Sequence, residues 1–201
     1  MLRITGGTLR GRRLHTTPRQ NLRPTQDRVR AALFSMLGEL VIDAHVADLF
    51  AGTGILGLEA YSRGAASVVW VELQRQNWRR LLENARLLCG ANVSDHLENT
   101  ADSACLACIR ADVVDFLKTR RVNKSFDLVF ADPPYPQALD FIKKILPILA
   151  QGGMLSASAV LALEQPVTLA PVMEQDWRLW RMRDYGETRL CLYRRTAMDE
   201  K

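Results

Sequence analysis

Cysteine and histidine are scarce, with four and three copies in 201 residues. Cys105 and Cys108 form one C-x-x-C, but a zinc site needs a second such pair or nearby histidines, and His15, His45 and His96 are scattered along the chain. No metal is expected, and the cysteines read as small buried residues. No run approaches the ~20 apolar residues of a membrane span. The opening stretch, MLRITGGTLRGRR, has no apolar segment of the kind a secretory leader carries. The default location is therefore the cytoplasm. Repeats and low-complexity segments are also missing. The hydrophobic content of 48% is enough for a full core, and the length fits one domain with a small appendage.

The beginning of the chain also lacks acids. Residues 1–30 hold eight arginines (Arg3, Arg10, Arg12, Arg13, Arg19, Arg23, Arg28, Arg30) and a single acid, Asp27, for a net charge of +7. The whole chain carries only +5, so residues 31–201 come to −2. All the early bases are arginine, whose planar fork suits phosphate. A basic arm on a near-neutral body points to contact with a polyanion.

LRITGGTLRGRRLHT alternates around Gly6-Gly7 and predicts a small hairpin. A polar connector follows, and then a helix over TQDRVRAALFSML with Thr25 as its N-cap. From residue 46 a regular β-α alternation takes over. Strands are predicted over HVADLF, SVVWVE, CLACIRAD, FDLVFAD and MLSASAVLALEQ. Helices lie between them, and Pro147 should bend or end the last. Residues 91–104 read as a surface loop. Two closing runs flank Gly186 as an antiparallel hairpin. The pattern is that of an α/β, doubly wound, mostly parallel sheet of seven strands, with a basic hairpin or arm over 1–24 and the main domain over 25–201. Ligands on such sheets sit beyond the carboxyl ends of the strands. Asp48, Glu72, Asp112 and Asp132 all fall at or next to those ends.

DLFAGTGILGLEA contains Gly52, Gly54 and Gly57 in the spacing G-x-G-x-x-G, and Glu72 follows Gly52 by twenty positions, where an acid can hold a ribose diol. Both features suit a nucleoside-containing cofactor without choosing one. Asp48 discriminates: a carboxylate repels the pyrophosphate of a dinucleotide but attracts the ammonium and sulfonium of S-adenosylmethionine.

FADPPYP is the most specific stretch. Prolines cannot continue a strand, so the chain turns sharply straight after Asp132. D-x-F-x-G-x-G resembles the first motif of the class I S-adenosylmethionine-dependent methyltransferases. Asp132-Pro133-Pro134-Tyr135 matches the [DN]-P-P-[YFW] motif of those that act on a planar nitrogen. With RITGGTLRGRRL and LRPTQDRVRAALFSML, nearly the whole chain resembles the bacterial 16S rRNA guanine-N2 methyltransferase family, which modifies the guanine at position 966 of the small subunit.

The resemblance implies a Rossmann-like methyltransferase fold with S-adenosylmethionine as cofactor. It implies 16S rRNA or a small-subunit assembly intermediate as partner, and a monomer is expected. Asp132, the Pro133 carbonyl and Tyr135 would hold the target base. Asp48, Phe50, Ala51, Gly52, Gly54, Glu72, Leu73 and Asp112 would surround the cofactor, with Thr25 closing the pocket. Arg3, Arg10, Arg12, Arg13 and Arg23 would contact RNA. The alternatives are methylation of another base or of a protein glutamine, a dehydrogenase, and a non-catalytic RNA-binding module.

Overall fold

The computed structural model describes residues 2–16, 24–96, 106–119, 125–134 and 138–196. Helix α1 spans Pro24–Leu37 and leads through a 3-10 turn, Gly38–Val41, into strand β1, His45–Leu49. The alternation then runs α2 Ile55–Ser62, β2 Ser67–Glu72, α3 Arg75–Cys89, β3 Leu106–Arg110, α4 Val113–Thr119, β4 Phe126–Ala131, α5 Ala138–Gln151 and β5 Leu155–Pro166. It closes with β6 Trp177–Tyr185 and β7 Thr188–Arg195.

The seven strands form one sheet in the order β3-β2-β1-β4-β5-β7-β6. β1 pairs in parallel with β2 and β4, β2 with β3, and β4 with β5. Only β7 runs against its neighbours, β5 and β6. The central strands are covered on both faces, which is why they read as continuous apolar runs: every residue of β2 is buried. One face packs α1, α2, α3 and the N-terminal segment around Trp70, Phe34 and Phe130. The other packs α4 and α5 around Phe116, Ile142 and Ile145. No helix among the described residues is long and apolar enough to cross a membrane.

Three expectations need adjustment. The N-terminal hairpin is real in outline but held by a single bridge, Arg3 to Arg13, with Ile4 N–H bonded to Arg12 O at 2.9 Å and Leu14 N–H to Leu2 O at 3.0 Å. Its alternate residues Leu2, Ile4 and Leu14 are buried in the main core. Thr25 is not the N-cap of α1. The helix begins one residue earlier at Pro24, where the missing N–H costs nothing and φ is already helical. Pro147 lies inside α5 without ending it. It sits on the exposed face, where the carbonyl left without a partner can turn to water.

Candidate active site

The strand order reverses between β1 and β4, and there the carboxyl ends of the strands open a crevice of about 900 Å³. Phe50 and Gly52 follow β1, Glu72 ends β2 with Leu73 just after it, Asp112 follows β3, and Asp132, Pro133 and Pro134 follow β4. Glu164 near the end of β5, Phe141 from α5 and residues 185–188 of the β6–β7 turn complete the wall.

The glycine loop is built in two layers. In the buried layer, a Cβ on Gly54 would meet Leu81 Cδ1 at 2.3 Å and one on Gly57 would meet Trp70 Nε1 at 2.2 Å. Those two glycines let the loop and α2 settle on the Trp70 ring, whose Nε1–H donates to Gly54 O at 3.2 Å. In the open layer, Gly52 has φ +55°, and the nearest atom to a Cβ there is Phe50 O at 4.0 Å. Packing does not require Gly52; its backbone conformation and the empty space beside it do. Phe50 also sits at φ 61°, a strained value for a side chain that is not glycine, and its ring meets Phe141 edge-on with centroids 5.1 Å apart.

The acids divide their tasks. Glu72 is buried and accepts from Gly52 N–H at 2.9 Å through Oε2 and from Gln74 N–H at 2.7 Å through Oε1. It fixes the glycine loop, while each oxygen keeps a second lone pair towards the crevice. Asp112 Oδ1 caps α4, accepting from Val114 N–H at 2.8 Å and Asp115 N–H at 3.2 Å. Asp48 lies behind the loop instead of lining the crevice. It is 2% exposed and accepts from Gly57 N–H at 2.8 Å. Burial, with a smaller contribution from the charge of Glu72, pushes its pKa up to about 8 against the pull of the Gly57 bond. Asp132 is held well above the usual carboxylate range by desolvation, then by Glu164 and Asp48. Its side chain keeps access to solvent through the crevice mouth, so repulsion between the acids is the firmer of these causes.

Of the residues singled out in the sequence, Phe50, Gly52, Glu72, Leu73, Asp112, Asp132 and Pro133 converge on the crevice, whereas Asp48, Ala51 and Gly54 do not line it. Tyr135, Arg23 and the side chain of Thr25 lie outside the described residues. Arg3, Arg10, Arg12 and Arg13 are all exposed on the N-terminal segment. Sequence reasoning missed Glu164, although VLALEQ also ends a strand on an acid and that signal was available. Phe141 and the β6–β7 turn carry no local signal, because only the closing of the sheet brings them to the crevice.

A seven-stranded sheet in the order β3-β2-β1-β4-β5-β7-β6, with β7 antiparallel between β5 and β6, is the Rossmann-like methyltransferase fold, as the solved structures it resembles bear out. The chain belongs to the family described as conserved hypothetical protein 95, whose family model matches residues 2–194. It is 32% identical over 200 residues to ribosomal RNA small subunit methyltransferase D of Escherichia coli strain K12, covering 99% of this chain and 92% of that one. It is 26% identical to the putative rRNA methyltransferase YlbH of Bacillus subtilis over 96% of this chain and 99% of that one. Among solved structures, the putative methyltransferase yhhF from Escherichia coli superposes with a TM-score of 0.80 at 32% identity, covering 98% of this chain and 99% of that one.

Proposed function

We propose that the protein transfers a methyl group from S-adenosylmethionine to the exocyclic N2 of a guanine in small-subunit ribosomal RNA. One observation carries the choice of cofactor. Five carboxylates line the crevice (Glu72, Asp112, Asp132, Glu164 and Glu187), and among the described residues no lysine or arginine does. A dinucleotide pyrophosphate would meet carboxylates and, among the described residues, no lysine or arginine there, whereas a ligand bearing ammonium and sulfonium is attracted. The open space beside Gly52 and the remaining lone pairs of Glu72 suit a ribose, and Leu73 and Val113 offer apolar walls for an adenine. When bound, S-adenosylmethionine supplies an electrophilic methyl group.

The chain's own residues then act on the base. The lone pair of the guanine amino group is delocalised into the ring, so the nitrogen must be oriented before it can attack. Asp132 accepts one amino N–H and the Pro133 carbonyl accepts the other. The two prolines hold that carbonyl still, and most of the gain comes from positioning and electrostatics. The methylated amine is acidic and sheds its proton, for which Asp132, with its raised proton affinity, is a fitting acceptor. Tyr135 is assigned to stack on the base turned out of the RNA, an interaction worth about 1–3 kcal/mol for aromatic–base pairs in general. The names of the Escherichia coli and Bacillus subtilis relatives, both of which specify rRNA, support the RNA substrate.

Titration of the purified protein should show S-adenosylmethionine binding and no NAD binding. Small-subunit rRNA from cells lacking the enzyme should gain one methyl group on a guanine N2, and Asp132→Ala should abolish this while cofactor affinity stays within about twofold. Binding of NAD in preference, or full activity in Asp132→Ala, would overturn the reading.

A further inference from the structure

We infer that the edge strand β6, together with Arg194 of β7, forms a second RNA-docking strip that leads into the crevice. This rests on the proposed RNA substrate and names a surface for it. Residues 177–195 contain six arginines and two acids, a local charge of +4 hidden in the net −2 of residues 31–201. Arg178, Arg181, Arg183 and Arg194 are all exposed. None has an acidic partner among the described residues, whereas Arg189 of the same hairpin is paired with Asp184 at 2.7 Å. Arg178 stands directly opposite Arg194 in the ladder, a like-charge pair that weakens the sheet.

The strip also has an aromatic element. The Arg181 guanidinium lies 4.0 Å from the centre of the Trp180 ring and that of Arg194 lies 3.9 Å from it. The half-buried indole therefore holds two cations ready at the surface. Arg181 is fixed further by donating to Met36 O at the end of α1. Arginine held on an aromatic ring keeps its charge, and its planar fork is set for phosphate at little further entropic cost. At about 3.3 Å per residue, β6 carries this charge for roughly 20 Å and ends at Tyr185, on the crevice wall. The crevice itself is acidic and repels phosphate, so an RNA that delivers a base there must be held by cations around it.

The plainer account is that the charges only protect an exposed sheet edge from pairing with other chains. That account gives no role to the stacked indole and predicts that removing the charges changes solubility, not RNA affinity. The test is the double variant Arg178→Gln/Arg183→Gln, which leaves the Trp180 sandwich and the crevice intact. The probe is small-subunit rRNA lacking the modification, with binding measured across a salt series. The expected result is a loss of RNA affinity of tenfold or more at moderate salt and a shallower slope of log affinity against log salt, by about 0.7–0.9 for each phosphate no longer neutralised. S-adenosylmethionine affinity should not change, and the thermal midpoint should hold or rise as the repulsion between Arg178 and Arg194 is relieved. Unchanged RNA affinity and slope, with or without aggregation, overturn the inference. If the wild-type protein binds this RNA with the expected slope but adds no methyl group, the proposed reaction fails while the docking strip stands. If the wild-type protein does not bind RNA, both fail.

Discussion

Asp48 shows how a single residue can mislead when read only by type. In the sequence it discriminates between cofactors by charge. In the structure it is a buried acid that ties the N-terminus of α2 to the strand below through Gly57 N–H. Its folded pKa of about 8 lies above the ordinary 3.8, so the folded state holds the proton more tightly than the unfolded one. Its contribution to stability is therefore greatest at low pH and falls as pH rises from about 4 to about 8. Asp48→Asn should flatten that fall, read as denaturation midpoints at several pH values; an unchanged slope would mean the acid is ionised in the fold. The glycines separate in the same way. Gly54→Ala should cost stability, about 1–3 kcal/mol or more from overpacking against Leu81. Gly52→Ala should leave a folded protein with weakened cofactor binding, since its Cβ would enter open crevice. Calorimetric titration beside thermal melts distinguishes the two.

Among the elements, the N-terminal segment departs furthest from its sequence reading as a basic arm. Glu59 of α2 is fully buried and accepts from Thr5 N–H at 2.8 Å and Thr5 Oγ1 at 2.7 Å. The same carboxylate meets Arg63 Nη2 at 2.8 Å and the buried Arg30 Nε at 3.4 Å. One acid thus clasps the hairpin, α1 and α2 together. Glu59→Ala leaves Arg30 short of a counter-charge and should cost about 3 kcal/mol in urea unfolding. Glu59→Gln should cost less, because an amide oxygen still accepts from Thr5. Equal losses would mean that charge, not hydrogen bonding, holds the clasp. Truncating the hairpin removes Leu2, Ile4 and Leu14 from the core as well as its arginines, so weaker RNA binding in a deletion would not by itself locate the RNA surface.

The whole molecule separates charge by place. Acids gather in the crevice, and arginines gather on the hairpin and on β6. This arrangement predicts two salt responses in one protein. RNA affinity should fall steeply between low and moderate salt, as counterion release requires, while cofactor affinity in the enclosed crevice should change little. Parallel titrations would check this, and equal salt slopes for the two ligands would argue against separate sites.

The sequence by itself determined the class of fold, the strand ends and the crevice carboxylates other than Glu164 and Glu187, because apolar period, glycine punctuation and the Asp-Pro-Pro corner are local signals. It did not reveal that Asp48 is turned away from the crevice, that Gly54 and Gly57 serve Trp70, or that the early arginines ride on a segment anchored by Glu59. Nor did it reveal that Arg181 and Arg194, thirteen positions apart, close on one indole. Those facts depend on which strand lies beside which and which face each residue presents, and that is decided only when the sheet closes around a common core.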